Sequence, residues 1–375
     1  MKNIDKYRGC LIGGAAGDAL GYAIEFYDEE CIFRKYGERG ITEYELTDGV
    51  AQISDDTQMT LFTANGLLLG KTRGMTRGIM GSYPSYVALC YKDWLRTQME
   101  EYPIDRENPY AYTWLVNVPG LFHRRAPGKT CLSAIYEGAY GTIEEPINRS
   151  KGCGGVMRVA PIGLYFDYGG ENAEELDRIG AEVAAITHGH ELGYMPAATL
   201  THIIRRVTHE DVEIEEAVIS AIRSTESMFK DAKSLSYYID LLNRAIELSK
   251  EDLDDLDAIH QLGQGWVAEE ALAIAVYCAL KYPEDIDKAL IAAVNHEGDS
   301  DSTGAVTGNI VGAHVGLSGI PEKYTKKLEL YDIIIEIADD LYNDCQIEEY
   351  SDYVDEVWES KYIYKTYPEI RKWRR

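Results

Sequence analysis

Gly9-Cys10-Leu11-Ile12-Gly13-Gly14-Ala15-Ala16-Gly17-Asp18-Ala19-Leu20-Gly21 combines a helical apolar pattern with five glycines. Leu11, Ile12, Ala15, Ala16, Ala19 and Leu20 are spaced as in a helix, yet glycines stand at 9, 13, 14, 17 and 21. A glycine inside a helix costs roughly 0.5–1 kcal/mol relative to alanine, so such a run needs a use for its missing side chains. Without Cβ atoms, a helix backbone comes unusually close to a neighbouring helix or to a ligand. Close packing against another helix is the ordinary use, and contact with a ligand is the alternative.

The rest of the sequence agrees. Leu176-Ile179-Val183-Ile186, Ile214-Ala217-Val218-Ala221-Ile222, Leu241-Leu242-Ala245-Ile246-Leu248 and Ile333-Ile334-Ile337-Ala338-Leu341 each place apolar residues on one helical face. Ala271 to Leu280 is apolar on all sides and predicts a central buried helix. Strand patterns are scarce, Ile41 to Leu46 being the best candidate. No linker or fixed-period repeat divides the 375 residues, which predicts one mainly α-helical domain spanning 1–375. Residues 71–150, richer in Tyr, Trp, Gly and Pro, read as an elaborated insertion. The acidic, Tyr-rich segment after 322 reads as a helical C-terminal extension.

Two acidic clusters carry the chemistry: Ser54-Asp55-Asp56-Thr57 and Gly298-Asp299-Ser300-Asp301-Ser302-Thr303. Each precedes an apolar helical pattern, so helix capping explains one acid and one hydroxyl at each place. It does not explain the pair Asp-Asp and, elsewhere, Asp-x-Asp. Four carboxylates brought together raise one another's pKa unless cations compensate them. Hard oxygen donors favour Mg²⁺, Mn²⁺ or Ca²⁺ over zinc. Two rival readings of the second cluster are weak. A phosphatase Asp-x-Asp-x-Thr motif should end an apolar strand, whereas residues 288–294 read as a helix. An EF-hand loop needs a glutamate at its twelfth position, where Ile310 stands.

The whole-chain properties exclude other classes. A formal charge of −26 opposes nonspecific binding to nucleic acid or anionic membrane. Seven cysteines include no Cys-x-x-Cys pair, as suits a reducing cytoplasm. Charges at Asp5, Lys6, Arg8 and Asp18 interrupt any secretion signal, and no apolar run reaches the roughly 20 residues of a membrane span. A cytoplasmic protein is expected.

Read in order, Gly17-Asp18-Ala19-Leu20-Gly21 with Glu25, Ser54-Asp55-Asp56-Thr57, Gly152-Cys153-Gly154-Gly155-Val156-Met157-Arg158-Val159-Ala160-Pro161, Thr187-His188 and Gly298 to Gly304 form a recognisable series. The series resembles the ADP-ribosylglycohydrolase family, from about residue 9 to about 321. The resemblance implies an all-α fold with two Mg²⁺ or Mn²⁺ ions in a cleft. Ser54, Asp55, Asp56, Asp299, Asp301 and Ser302 take the family's metal-ligand positions, with Asp301 bridging. Both hydroxyl positions hold serine where many relatives have threonine, and Thr303 competes with Ser302 in register. Glu25 takes the place of the family's mobile catalytic glutamate.

Gly152, Cys153, Gly154, Gly155, Met157 and Arg158 fall on the loop that holds the distal ribose and diphosphate, and His188 falls near the ligand. Cys153 replaces an asparagine common among relatives. Read alone, the cysteine is a small buried thiol or a reactive one, and Arg158 a phosphate contact or a structural ion pair. The implied substrate is an ADP-ribosylated protein or an ADP-ribose-containing small molecule. Arginine-linked N-glycosides come first, with serine-linked ADP-ribose, poly-ADP-ribose and O-acetyl-ADP-ribose as alternatives. A nucleotide phosphohydrolase and a catalytically silent ADP-ribose binder are rival classes.

Overall fold

A computed structural model describes residues 2–104, 110–167, 173–350 and 352–367. At its centre the N-terminal helix, Ile4–Tyr22, lies antiparallel against a late helix, Ser300–Val315. Every residue from Gly9 to Gly21 is buried, as is every residue from Ser300 to Ala313. The opening glycines face glycines. Gly9 meets Gly312, Gly13 meets Gly308, Gly17 meets Gly304, and Gly21 meets the Ser300 backbone. A Cβ on Gly13 would lie 2.3 Å from the Gly308 carbonyl oxygen, and one on Gly308 only 1.9 Å from that of Gly13. No side chain fits there, so the glycine run serves helix–helix contact along this face. Asn309 fills the flank, donating to the Cys10 carbonyl at 2.9 Å.

Other helices wrap this pair. Ala268–Lys281, buried throughout from Ala271 to Ala279, packs on the late helix as its all-round apolar character predicts. Asp55–Arg77 begins at the first acidic cluster and ends at Gly78, whose φ of +65° suits glycine. Tyr83–Met99 covers Asp55–Arg77, while Ala173–Ala185 and Ile214–Met228 pack on Glu191–Arg205. Tyr331–Asn343 rests on the N-terminal helix, joined to it by Arg8 and Asp339 at 2.6 Å. The helices expected around 176–186, 214–222, 241–248 and 333–341 are all present.

The strand expected at Ile41–Leu46 is not formed. The Ile41 N–H and C=O instead pair with the side-chain amide of Asn295, at 2.7 and 2.9 Å. Lys323 takes the Thr42 carbonyl, and residues 43, 45 and 46 are exposed, so the run has no neighbouring strand to pair with. Among the described residues, β pairing is confined to isolated bridges, Thr47 with Val50, Ala51 with Leu328 and Gly152 with Val267. Residues 71–150 supply the Tyr83–Met99 and Lys129–Tyr136 helices and two short turns of 3₁₀ helix. After 322 come Glu322–Thr325, Tyr331–Asn343 and Glu356–Tyr362, and residues 368–375 lie outside the described part.

Gly308→Ala tests the central pair. Alanine gains about 1 kcal/mol of helix propensity, but the backbone overlap should outweigh it, for a net loss of about 1–3 kcal/mol. Gly74→Ala should be close to neutral, because its added methyl meets only the flexible Met80 side chain. Urea denaturation of both variants checks the contrast.

Candidate active site

The central helix pair sets the site. Gly17 and Gly304 touch, so Asp18 and Asp301, each close by in sequence, come to the same end of the pair. Asp18 is fully buried and accepts from the backbone N–H of Ser54 at 2.9 Å and of Thr57 at 3.0 Å, and from the Thr57 hydroxyl. It therefore docks the start of the Asp55–Arg77 helix onto the N-terminal helix. The Ser54 hydroxyl caps that start by accepting from Asp56 N–H at 3.2 Å. Asp55 and Asp56 in the first turn are thereby presented towards the late helix. That helix is capped by Asp299, which accepts from Ser302 N–H at 3.3 Å. Its backbone enters over Gly298, where φ is +148° and a Cβ would lie 2.0 Å from the Gln264 carbonyl.

The two clusters meet in a cleft of about 270 Å³, whose wall includes Glu25, Asp55, Asp56, Asp299, Asp301 and Ser302. Burial pushes Asp55 up to about 8, with Asp18 and Asp299 adding repulsion. Burial and the surrounding acids also hold Asp56 and Asp301 well above the carboxylate range. Glu25, on the turn after the N-terminal helix, is 7% exposed and is pushed up to about 9, first by burial and then by Asp299 and Asp55. Glu25 Oε2 and Asp56 Oδ2 are buried without a hydrogen-bond partner.

The remaining expected residues divide. Gly152, Cys153, Gly154, Met157 and His188 line the cleft. Ser54, Gly155 and Arg158 stand behind its wall. The Cys153 thiol donates to Asp299 at 2.8 Å, and burial keeps it neutral. Gly152 and Gly154 pack against the His188 ring, where a Cβ on Gly154 would lie 3.0 Å from the imidazole. Burial drives His188 down to about 3, the Arg158 charge assisting, so its ring is neutral. Arg158 has no exposure and donates to the Val183 carbonyl at 3.1 Å and the Thr187 hydroxyl at 2.7 Å, with its guanidinium over Tyr91. That is a structural arrangement of a different kind from a carboxylate ion pair. Thr303 donates to the Ala293 carbonyl at 2.7 Å and bonds His296, leaving Ser302 as the hydroxyl on the cleft.

Sequence reading missed part of the wall. Ala126, Gly128, Lys129, Thr130 and Cys131 line the cleft opposite Asp299, and Gly128 N–H donates to Asp55 at 3.3 Å. The Gly128-Lys129-Thr130 start of a helix was the available signal, but nothing local ties it to Asp55. Phe26 and Trp266 stand on the wall as well. Behind the first cluster, Arg125 donates to the Ile53 carbonyl at 3.1 Å and pairs with Glu329, which accepts the Ile53 N–H at 3.2 Å.

The family model described as ADP-ribosylglycohydrolase matches residues 1–350. The chain belongs to the ADP-ribosylglycohydrolase family. It is thereby an enzyme of the glycosidic-bond hydrolase class. The chain is 25% identical to the ADP-ribosylhydrolase ARH3 of Mus musculus over 350 residues, 88% of each chain. It is 24% identical to the ADP-ribosyl-[dinitrogen reductase] glycohydrolase of Rhodospirillum rubrum, covering 87% of this chain and 91% of that one. A solved ADP-ribosylglycohydrolase-related protein complex superposes with a TM-score of 0.57 over 91% of this chain and 98% of that chain, at 22% identity, and shares the fold.

This glycohydrolase's cleft fits a hard divalent cation. Its donors are carboxylate and hydroxyl oxygens, one of the carboxylate oxygens lacks any partner, and repulsion among them asks for positive charge. The clamp behind it can be tested without metal. Glu329→Ala strands Arg125, only 8% exposed at its side chain, and frees the Ile53 N–H. Breaking such a buried pair should cost about 3–5 kcal/mol. Urea unfolding of the variant checks this, and a loss below about 1 kcal/mol would assign the pair the weight of a surface bridge.

Proposed function

We propose that this glycohydrolase removes ADP-ribose from modified protein side chains, first among them arginine, at the cleft where the two acidic clusters meet. The observation that carries the reading is the convergence of Asp55 and Asp56 with Asp299, Asp301 and Ser302 beside a buried, unpartnered Glu25. Two Mg²⁺ or Mn²⁺ ions held by these acids and by the Ser302 hydroxyl would supply Lewis acidity and orient ribose hydroxyls and a water, while Ser54, expected as a further ligand, caps the helix from behind the wall.

Burial raises Glu25 above the ordinary carboxylate range and so favours its protonated form. It is the group with a proton to give, and it donates that proton as the anomeric C–N bond to the side chain breaks. Once charged, it takes a proton from the water that adds to the anomeric carbon. This division of labour differs from glycosidases with two free carboxylic acids, since the other acids here serve as ligands. Gly152 and Gly154 let the loop backbone lie directly against the His188 ring and, at Gly154, the Cys131 sulfur, on the cleft wall where a diphosphate would bind. His188, neutral and bonded to Thr187 through Nδ1 at 2.8 Å, gives that loop a firm, uncharged support.

The test incubates the protein with arginine-linked and serine-linked ADP-ribosyl proteins, poly-ADP-ribose and O-acetyl-ADP-ribose, with Mn²⁺ or Mg²⁺. Release of free ADP-ribose fastest from the arginine linkage is expected. Faster release from another linkage replaces the acceptor but keeps the reaction, whereas AMP with ribose phosphate, or no product, refutes it. Glu25→Gln should lower kcat by about 10²–10⁴ while ADP-ribose affinity changes little. Near-normal turnover would remove Glu25 from the proton-transfer role.

A further inference from the structure

Two aromatic rings, Phe26 and Trp266, meet on the cleft wall beside Glu25. Glu25 sits on a short turn between the Ile4–Tyr22 helix and Asp28, the N-cap of Glu29–Tyr36. The turn's backbone bonds are local, Ile24 to Gly21 at 2.9 Å and Tyr27 to Ile24 at 2.8 Å. Ile24 anchors its inner side in the core at 1% exposure. On the outer side Phe26 is 72% exposed, and its ring stacks on Trp266, itself 41% exposed, with centroids 6.3 Å apart and planes 23° from parallel. Both rings border the cleft.

Trp266 is well placed to transmit position. Its carbonyl accepts from Cys153 N–H at 3.3 Å, and the Gln264 carbonyl accepts from Asp299 N–H at 2.9 Å. The same segment reaches back to the Glu25 side a second time, where His260 bonds Glu29 at 2.6 Å. Residues 260–266 thus join three parts of the site: the glutamate turn, the Gly-rich loop and the second acidic cluster. The His260 pair is largely exposed and adds little. The aromatic contact is the stronger tie, since offset-stacked rings at this separation attract beyond their buried area.

We propose that the Phe26–Trp266 stack is a positioning contact, which holds the Glu25 turn at a fixed height over Asp299 and Asp301. The inference rests on Glu25 as the proton donor. Neither ring is assigned a part in the chemistry itself, and each acts through the carboxyl next door. Loosening the stack lets the turn swing outward, so that the acid spends less time within reach of the scissile bond.

The experiment compares Trp266→Ala, Trp266→Phe and Phe26→Ala with the wild type in three readouts. In Trp266→Ala, kcat should fall about two- to tenfold, the worth of one aromatic pair, with KM nearly unchanged. Trp266→Phe keeps a stacking ring and should restore most of that loss. Backbone amide exchange over residues 22–29 should quicken in both alanine variants and stay near wild type in Trp266→Phe. Mn²⁺ affinity should be the same in all. Unchanged exchange over 22–29 overturns the proposal, as does a kcat loss that Trp266→Phe fails to rescue. A parallel loss of Mn²⁺ affinity overturns it too, by marking general damage. If wild-type protein releases no ADP-ribose, the proposed reaction fails by itself, and the exchange measurement still decides whether the stack holds the turn.

Discussion

Everything in the site depends on how closely two helix backbones approach. The N-terminal and late helices meet through glycines at matching four-residue steps, with carbonyl oxygens where Cβ atoms would otherwise sit. That contact joins sequence positions almost 300 residues apart, Gly13 with Gly308 and Gly17 with Gly304. Asp18 and Asp301 sit beside these contacts, and Asp18 in turn binds the start of the Asp55–Arg77 helix. Backbone proximity in the core is thereby converted into carboxylate proximity at the cleft. A larger residue at one of these glycines would part the helices and, with them, the acids.

The arrangement stores electrostatic stress. Asp18, Asp55, Asp56, Asp301 and Glu25 are all buried, and all are raised, with burial the largest cause in each. Asp18 is raised least, to about 6, because three hydrogen-bond donors satisfy it. It is a structural acid. Asp56 and Glu25, both on the cleft wall, each keep a buried oxygen without a partner. The difference separates the acid that builds the site from those available for chemistry. Buried unpaired acids are costly to a fold unless something binds them, and sites that carry such cost are usually the functional ones.

Sequence reading found what is encoded locally. Asp-Asp and Asp-x-Asp before apolar helices, Glu25 after a glycine-rich helix, and the all-apolar 271–280 run need only a few residues to be read. The helical class was legible for the same reason, since each periodic face is a local pattern. What escaped was relational. The glycine run left helix contact and ligand contact open, and only the partner glycines of the late helix decide between them. Residues 126–131, the Arg125–Glu329 clamp and the Phe26–Trp266 stack join segments with no shared pattern in sequence. Arg158, a natural candidate for phosphate, is instead consumed by Val183, Thr187 and Tyr91. Ile41–Leu46 looked like a strand because the capture of Ile41's N–H and C=O by the distant Asn295 leaves no trace in the residues themselves.

In the proposed function, helix packing assembles a two-cation centre from the paired acids. Diffraction from Mn²⁺-soaked crystals, collected at the manganese absorption edge, decides whether it does. Two anomalous peaks within coordination distance of Asp55, Asp56, Asp299 and Asp301 are the predicted result. A single peak on one cluster alone, or Mn²⁺ bound only away from this cleft, would contradict it.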